Sequence, residues 1–490
     1  MIFCHYKRLK SVSAVTLTRE LGIKNVLNII KNTELMKGET IRMKQENIDF
    51  MKEVAVLALP AGLQMMIESV VGLIDNIMIG SLGEAAITAV SVSSTFIWLC
   101  STFVMAMASG ASIISSQDYG SGNLGRIKQL LSFIILSTLI ISGVFSLITF
   151  FFPGQILRIY SNVTSIIVPG TAYLKYMAWS FPMMGFSTAV TLMLRSVRSV
   201  KIGLYNSMLS CLTNVFFNWL FIFGHLGMPA MGVAGAALGT LLSRIVQMIV
   251  TVVYLLFIEK NLQYKIQDFH PAISMDLFKT FVSITIPILV MEVLTNLVSS
   301  VQTMITGRIS ENYISANSIT HMAWQLPNTF CWGVGTAAGI ITGNSLGNGN
   351  LEKAKKDGQR FIYTSVILGA FSAIMVQILL PILLQFYQIT EATKILARQM
   401  GYMASLAVFF IAFNCILCNG VIKSGGHTKL LLQVDLIGSW FIAIPLGYLA
   451  AFVLHWPAYL LYIILRSGNI FKSVWGIIYL RQGKWMRKLS

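Results

Sequence analysis

Charge is scarce in this chain. Only 11% of its 490 residues are Asp, Glu, Lys or Arg, against about 25% in an ordinary soluble domain. A large water-soluble enzyme is thereby excluded. The usual marks of catalysis are missing too. None of the six histidines has the spacing of a metal site, and no Gly-x-Ser-x-Gly or paired-carboxylate motif occurs. No Gly-x-x-x-x-Gly-Lys is present, and no soluble domain stands by to hold one, so an ATP-driven pump is excluded. The six cysteines (Cys4, Cys100, Cys211, Cys331, Cys415, Cys418) fall mostly in apolar runs, where Cys is a small hydrophobe and not part of a disulfide framework. No cofactor is expected.

What the chain has is apolar length. Its residues are 55% hydrophobic and its mean hydropathy is +0.72. Twelve runs are long enough to cross a bilayer, which takes about 20 residues: 54–79, 86–113, 130–152, 168–194, 203–224, 231–257, 278–303, 314–341, 361–387, 397–421, 430–453 and 457–480. The fold class is therefore an all-α membrane protein.

The formal charge of +17 suits a nucleic-acid binder at first sight, but the basic residues alternate from loop to loop. Arg126 and Lys128, Arg195, Arg198 and Lys201, Lys260 and Lys265, Lys353 to Arg360, and Lys423 with Lys429 follow the even-numbered spans. The positive-inside rule puts those loops and both termini in the cytoplasm of a multi-pass protein of the cell (inner) membrane. Topology accounts for the charge, and no nucleic-acid partner is implied. Residues 1–52 carry ten of the 36 Lys and Arg without a signal-peptide h-region. They read as a basic, polar extension, in which Leu21 to Ile30 suits a short surface helix and Met36 or Met43 an alternative start.

The chain also matches itself. A shift of 227 positions lays 60–128 on 287–355 without a gap, placing Pro60 on Pro287, Gly80 on Gly307 and Glu84 on Glu311. Gly120-Ser-Gly-Asn-Leu124 falls on Gly347-Asn-Gly-Asn-Leu351, and a shift of 228 pairs Arg195 with Lys423. A repeat of six spans keeps its topology, so the halves are related by a pseudo-two-fold axis along the membrane normal. The expected organisation is an N-lobe at 53–257, a cytoplasmic linker at 258–277, a C-lobe at 278–480 and a basic tail at 481–490. Two such lobes suit a rocking transporter with its site between them.

Four acids lie within spans: Glu68 and Asp75 on span 1, Glu292 on span 7 and Asp435 on span 11. A carboxylate at that depth costs about 2.5–3.5 kcal/mol, so it faces a cavity and serves a function by default. Glu68 and Asp75 are seven apart, on one helix face and about 10 Å along the axis; Gln64 and Gly72 extend the stripe. Glu292 and Asn296 begin a second one. Asn214 and Asn218 on span 5 form an i,i+4 pair that suits either a cavity or hydrogen bonds between helices. Asp435 is expected to pair with Lys429 or Lys423. The lobes differ chemically, Asp75 aligning with Gln302 and Glu68 with Thr295. Trp98 and Trp324, in equivalent spans, can offer π-faces to a cation.

Ala58-Leu-Pro-Ala, the stretch from Leu73-Ile-Asp75-Asn to Glu84-Ala-Ala, Ser109-Gly-Ala-Ser, Gln117, Gly120-x-Gly-Asn, Asn214-x-x-x-Asn218 and Pro229-Ala-Met-Gly-Val-Ala-Gly together resemble the multidrug and toxic compound extrusion (MATE) family. The resemblance covers about residues 50 to 485. It implies twelve helices in two lobes and cation-coupled export of organic, often cationic, compounds, with Asp75, Asn214 and Asn218 in an N-lobe cation site and Glu292 as the C-lobe carboxylate. Glu292 follows Pro287 by five residues and span 10 holds Asn414 and Asn419 where an acid would stand, so H+ and Na+ both stay open.

The expected ion-coupling residues are thus Asp75, Glu292, Asn214, Asn218 and Glu68. The expected substrate contacts are Gln64, Asn296, Gln302, Trp98 and Trp324. No fixed metal is expected, though Na+ at Asp75 or Glu292 is one form of the coupling ion. Removal from water disfavours the charged form of any carboxylate, and H+, Na+ or a cationic drug competing for one carboxylate is antiport. A lipid-linked oligosaccharide flippase of the same superfamily is the alternative. It needs fixed positive charge in its cavity, for which Arg244 and Arg466 stand out. A membrane-embedded enzyme is a third reading, with less in its favour.

Overall fold

Among the described residues every regular element is a helix. The computed structural model describes residues 23–309, 311–387 and 389–489, with side chains from residue 45 onward other than Glu311. It divides into two compact units, 1–55 and 56–490. In the first unit, residues 23–55 are helical and form the opening part of α1 (Ile23–Gly80). The surface helix expected at Leu21 to Ile30 begins outside the described residues.

The second unit continues α1 and adds α2 (Glu84–Gly120), α3 (Leu124–Phe151), a short α4 (Pro153–Arg158), α5 (Thr164–Ser196) and α6 (Lys201–Phe223). With α7 (Val233–Ile258) these helices form the N-lobe. The C-lobe repeats the plan with α8 (Met275–Gly307), α9 (Glu311–Gly347), α10 (Leu351–Phe386), α11 (Glu391–Ile422) and α12 (Thr428–Val453). Its last span is in two pieces, α13 (Ala458–Ile464) and α14 (Ser467–Gln482). The protein is an all-α membrane protein of twelve transmembrane spans in two six-helix lobes.

Ten of these helices are long and apolar enough to cross a bilayer by themselves. The exceptions have physical causes. α9 is diluted by Asn312, Asn317, His321, Gln325, Asn328 and Asn344. Span 12, expected unbroken over 457–480, is interrupted at Leu465–Arg466 because its polar groups take other partners. The Leu465 carbonyl accepts from Gln302 Nε2 at 2.6 Å, and Arg466 turns back to donate to the Tyr462 carbonyl at 3.2 Å.

The repeated Gly-x-Gly-Asn-Leu block is a helix stop and start. Gly122 and Gly349 take φ of 77° and 73°, left-handed values that a glycine adopts without strain. Asn123 and Asn350 then cap the next helix by accepting from Arg126 N at 3.2 Å and Lys353 N at 2.9 Å, relieving backbone donors that a helix start leaves unpaired.

The lobes interlock at this end. A Cβ on Gly120 would collide with the Asn344 carbonyl, and one on Gly347 with the Gln117 carbonyl. Both pairs are the same contact related by the 227-residue shift. Gly110 faces Thr285 and Gly333 faces Ala58, repeat-equivalent partners met by glycines one helical turn apart in the repeat. The first turns of α8 are shared with the other half: Leu277, Phe281, Ile284 and Ile288 sit in the core built by α2, α3 and α5.

A strap of residues 483–489 runs across the same end. Trp485 is fully buried. Gln117 of the N-lobe donates to the carbonyls of Ser424 at 2.7 Å and Arg487 at 3.1 Å, and accepts from Leu489 N at 2.8 Å. The linker does matching work for the N-lobe. Lys128 pairs with Asp268 at 2.9 Å, and Ser132 bonds the Tyr264 hydroxyl at 2.7 Å. The Lys128 hydrogen bond holds the Asp268 carboxyl below its usual range.

Candidate functional site

Polar side chains enter the interior of the second unit as three assemblies. The first lies in the N-lobe, where α1, α6 and α7 meet. Asn218 Nδ2 donates to Asp75 Oδ1 at 2.6 Å and lies 3.2 Å from Asn214 Oδ1, while Asn214 Nδ2 approaches Thr240 Oγ1 at 3.4 Å. Gly239 makes this possible, since any Cβ there would occupy the place of the Asn218 side chain. Both asparagines are buried, and Asn218 Oδ1 has no partner, an acceptor left open beside a carboxylate.

The second assembly runs along the same face of α1. Gln64 Nε2 donates to Glu68 Oε1 at 2.8 Å, as does Ser207 Oγ at 2.9 Å. Arg195 Nη2 donates to Gln64 Oε1. Glycine at 203 again leaves the room, because a Cβ there would strike Gln64. The chain Arg195–Gln64–Glu68 thus continues the stripe that ends at Asp75.

The third lies in the C-lobe. Asp435 pairs with Lys472 at 2.9 Å and accepts from Thr295 at 3.3 Å. The expected partners, Lys429 and Lys423, do not reach it. Lys429 lies six residues back on the same helix, about 120° around it, and Lys423 lies beyond the turn at Gly425 and Gly426. Next to this pair, Asn414 bonds Asn469 at 3.1 Å and Ser473 at 3.1 Å where α11 adopts π-helical geometry over Asn414–Ile422.

Besides a cavity of about 330 Å³ beside Gly120, two lie between residues of the two lobes. The larger, about 690 Å³, is lined by Glu68, Gly72, Asn76 and Trp98 against Asn317, His321 and Gln325. The other, about 410 Å³, is lined by Met65, Ser109 and Arg195 against Glu292, Thr336, Asn419 and Lys423. The interlocked glycines lie beyond it.

Glu68 and Trp98 therefore share one cavity, Glu292 lines the other, and Asp75 with its asparagines lies inside the N-lobe. Asn296 is exposed and lines neither cavity. Gln302 is engaged at the break in span 12. Trp324 packs against the C-lobe core, edge-on to His321 at 4.9 Å.

Sequence reasoning missed three cations. Arg195, assigned to a loop, is buried within α5. Lys423 lines a cavity. Lys472 is buried in an otherwise apolar stretch of α14. The view that Arg244 and Arg466 alone supply interior positive charge is therefore corrected. Weighing basic residues inside spans by the same cost as acidic ones would have found Lys472, and the repeat alignment had already paired Arg195 with Lys423.

The sequence profile of the MatE family matches residues 60–220 and again 287–449, once in each lobe. The chain is 21% identical over 417 residues to Probable multidrug resistance protein YoeA of Bacillus subtilis, covering 85% of this chain and 90% of that one. It is 23% identical over 463 residues to Probable multidrug resistance protein NorM of Thermotoga maritima, covering 91% and 95%. Among solved structures, one of the outward-facing conformation of a multidrug resistance MATE family transporter superposes with a TM-score of 0.77 at 17% identity, covering 88% of this chain and 96% of that one. A transporter of the MOP superfamily from Pyrococcus furiosus, described as having a binding pocket of reverse polarity, gives 0.77 at 16%, covering 88% and 95%.

Proposed function

Because the chain belongs to the MatE family, we propose that it is a secondary active transporter that exports organic, cationic compounds from the cell in exchange for H+ or Na+. The observation that carries this reading is the Asp75–Asn218–Asn214 cluster. It sets an acid inside the N-lobe among neutral amides, with an open acceptor on Asn218. Asn cannot be protonated, but its amide serves either charge state of a neighbouring carboxyl, as donor or as acceptor. H+ or Na+ neutralises Asp75, and its loss leaves a charge that the lobe relieves by rearranging. The stripe Gln64–Glu68–Gly72–Asp75 links this cluster to the larger cavity.

Alternation follows from the lobes. Their ends at Gly120 and Gly347 are interlocked while a cleft of about 690 Å³ lies between Glu68 and His321. Charge asymmetry of the loops assigns the interlocked end to the cytoplasm. Rocking of one lobe against the other opens that end and closes the cleft. The names of the multidrug resistance relatives support organic, drug-like compounds as the cargo.

Purified full-length protein in liposomes tests the proposal, with rhodamine 123 as the transported cation and pH and Na+ gradients imposed separately. Dye movement driven by at least one gradient is expected. Movement that follows neither gradient overturns the reading.

A further inference from the structure

The cavity of about 410 Å³ has a charge balance that export of simple cations does not require. Its wall carries two positive charges, Arg195 and Lys423, and one negative, Glu292. The two basic residues are repeat equivalents, one from each lobe, 228 positions apart. Arg195 is 94% buried, at 6% exposure. One of its nitrogens donates to Gln64, whereas Nε is buried and has no partner. No hydrogen bond or ion pair engages the Lys423 ammonium among the described residues, and Glu292 lines the same cavity.

Buried charge of this kind is costly unless paired. A guanidinium also presents donors in a fixed fork that fits a carboxylate, and Arg195 has one tine of that fork free. We propose that this cavity is a carboxylate-binding subsite, in which the carboxylate of an organic zwitterion lies between Arg195 and Lys423 while its cationic part faces Glu292. The inference rests on the exporter reading and extends it: Glu292 orients the cationic end of the ligand, and the two basic residues select the other. A site of about 410 Å³ lies within the usual size of small-molecule pockets, about 300–1,000 Å³. Its other walls are Ser109, Ser112 and Thr336 with Met105 and Trp332, suited to a flat ring system with polar edges.

Rhodamine 110 and rhodamine 123 form the test pair, since the second is the methyl ester of the first and differs only in lacking the free carboxylate. Binding of each to the full-length protein in lipid nanodiscs is followed by fluorescence polarisation. The readout is the ratio of the two affinities, which cancels any general loss of binding. Wild type is expected to favour rhodamine 110. Lys423→Gln is expected to reduce that preference about tenfold, the loss of one charged hydrogen bond, and Lys423→Arg to restore most of it. Arg195→Gln should act in the same direction. If that variant does not fold, the Lys423 pair alone decides the matter. A ratio unchanged in Lys423→Gln overturns the subsite. Wild type that binds rhodamine 123 but not rhodamine 110 also overturns it, and leaves the export of cations standing. Wild type that binds neither dye overturns both.

Discussion

Gly120 of α2 lies so close to the backbone of Asn344 on α9 that no side chain fits between them. The two helices meet there backbone to backbone, and the 227-residue repeat makes the contact twice, with Gln117 and Gly347 as the second pair. Close approach of this kind lets helices associate in a membrane without a hydrophobic driving force.

Gly120→Leu is accordingly expected to push the ends of α2 and α9 apart by about 2 Å or more, helix separation being set by the side chains at the crossing. Spin labels at Ser121 and Asn348, both exposed, report the distance. A distribution identical to that of the unsubstituted protein would show that the crossing does not hold the ends together.

Asp75→Asn keeps the shape of the N-lobe cluster, since an amide oxygen still accepts from Asn218, but removes the charge that the proposed exchange needs. Efflux of rhodamine 123 from liposomes should fall to the level of empty liposomes under either gradient, with the thermal stability of the protein retained. Efflux at the unsubstituted rate would leave Asp75 with a packing role only.

The Lys472–Asp435 pair predicts a non-additive result. Lys472→Met strands Asp435 in the C-lobe interior, and breaking a buried pair from one side costs about 3–5 kcal/mol. Adding Asp435→Asn should recover most of that loss, because the neutral pair has no charge left to desolvate. Unfolding of the single and double variants in detergent measures the coupling; additive losses would argue against a functional ion pair.

His427 gives the interlocked end a pH dependence. Its ring stands 3.4 Å from the Tyr479 hydroxyl, and burial, with Arg487 of the strap nearby, lowers its pKa below the ordinary value of 6.5. The unfolded chain therefore takes up the proton at a higher pH than the folded one. The stability from neutral His427 is complete above about 6.5 and is lost as pH falls through the lower, folded-state value. The protection of residues 484–489 against hydrogen exchange, corrected for the intrinsic slowing of exchange in acid, should fall as pH drops from about 6.5 through that value, and His427→Gln should flatten the response. A strap equally protected at pH 5 and pH 8 in the unsubstituted protein would refute this.

Features governed by local spacing were legible in the residues themselves. The stripe Gln64–Glu68–Gly72–Asp75 is a helical period, and the Gly-x-Gly-Asn-Leu turn is a left-handed glycine followed by a cap, so both could be read without knowing a neighbour. The seating of α8 in the core of the other half, the break at Leu465–Arg466 and the choice of Lys472 by Asp435 could not. Each depends on which side chain a second helix presents at the same depth. Arg195 shows the limit of charge counting: a basic residue next to a loop scores as a loop residue until a partner such as Gln64 is seen to draw it inward.

The strap gives the interlocked end a measurable occupancy. Gln117 joins the N-lobe to the strap through the Arg487 carbonyl and the Leu489 N–H, and to the C-lobe through the Ser424 carbonyl, three bonds that must all part for this end to open. At a net worth of about 1 kcal/mol for each such bond, their sum is about 3 kcal/mol, which corresponds to a ratio on the order of a hundred between the latched and unlatched forms. On the proposed rocking mechanism, a minor state near one per cent is rare enough to keep this end closed at rest. It is also frequent enough that a ligand preferring it by a few hundredfold makes it the major one.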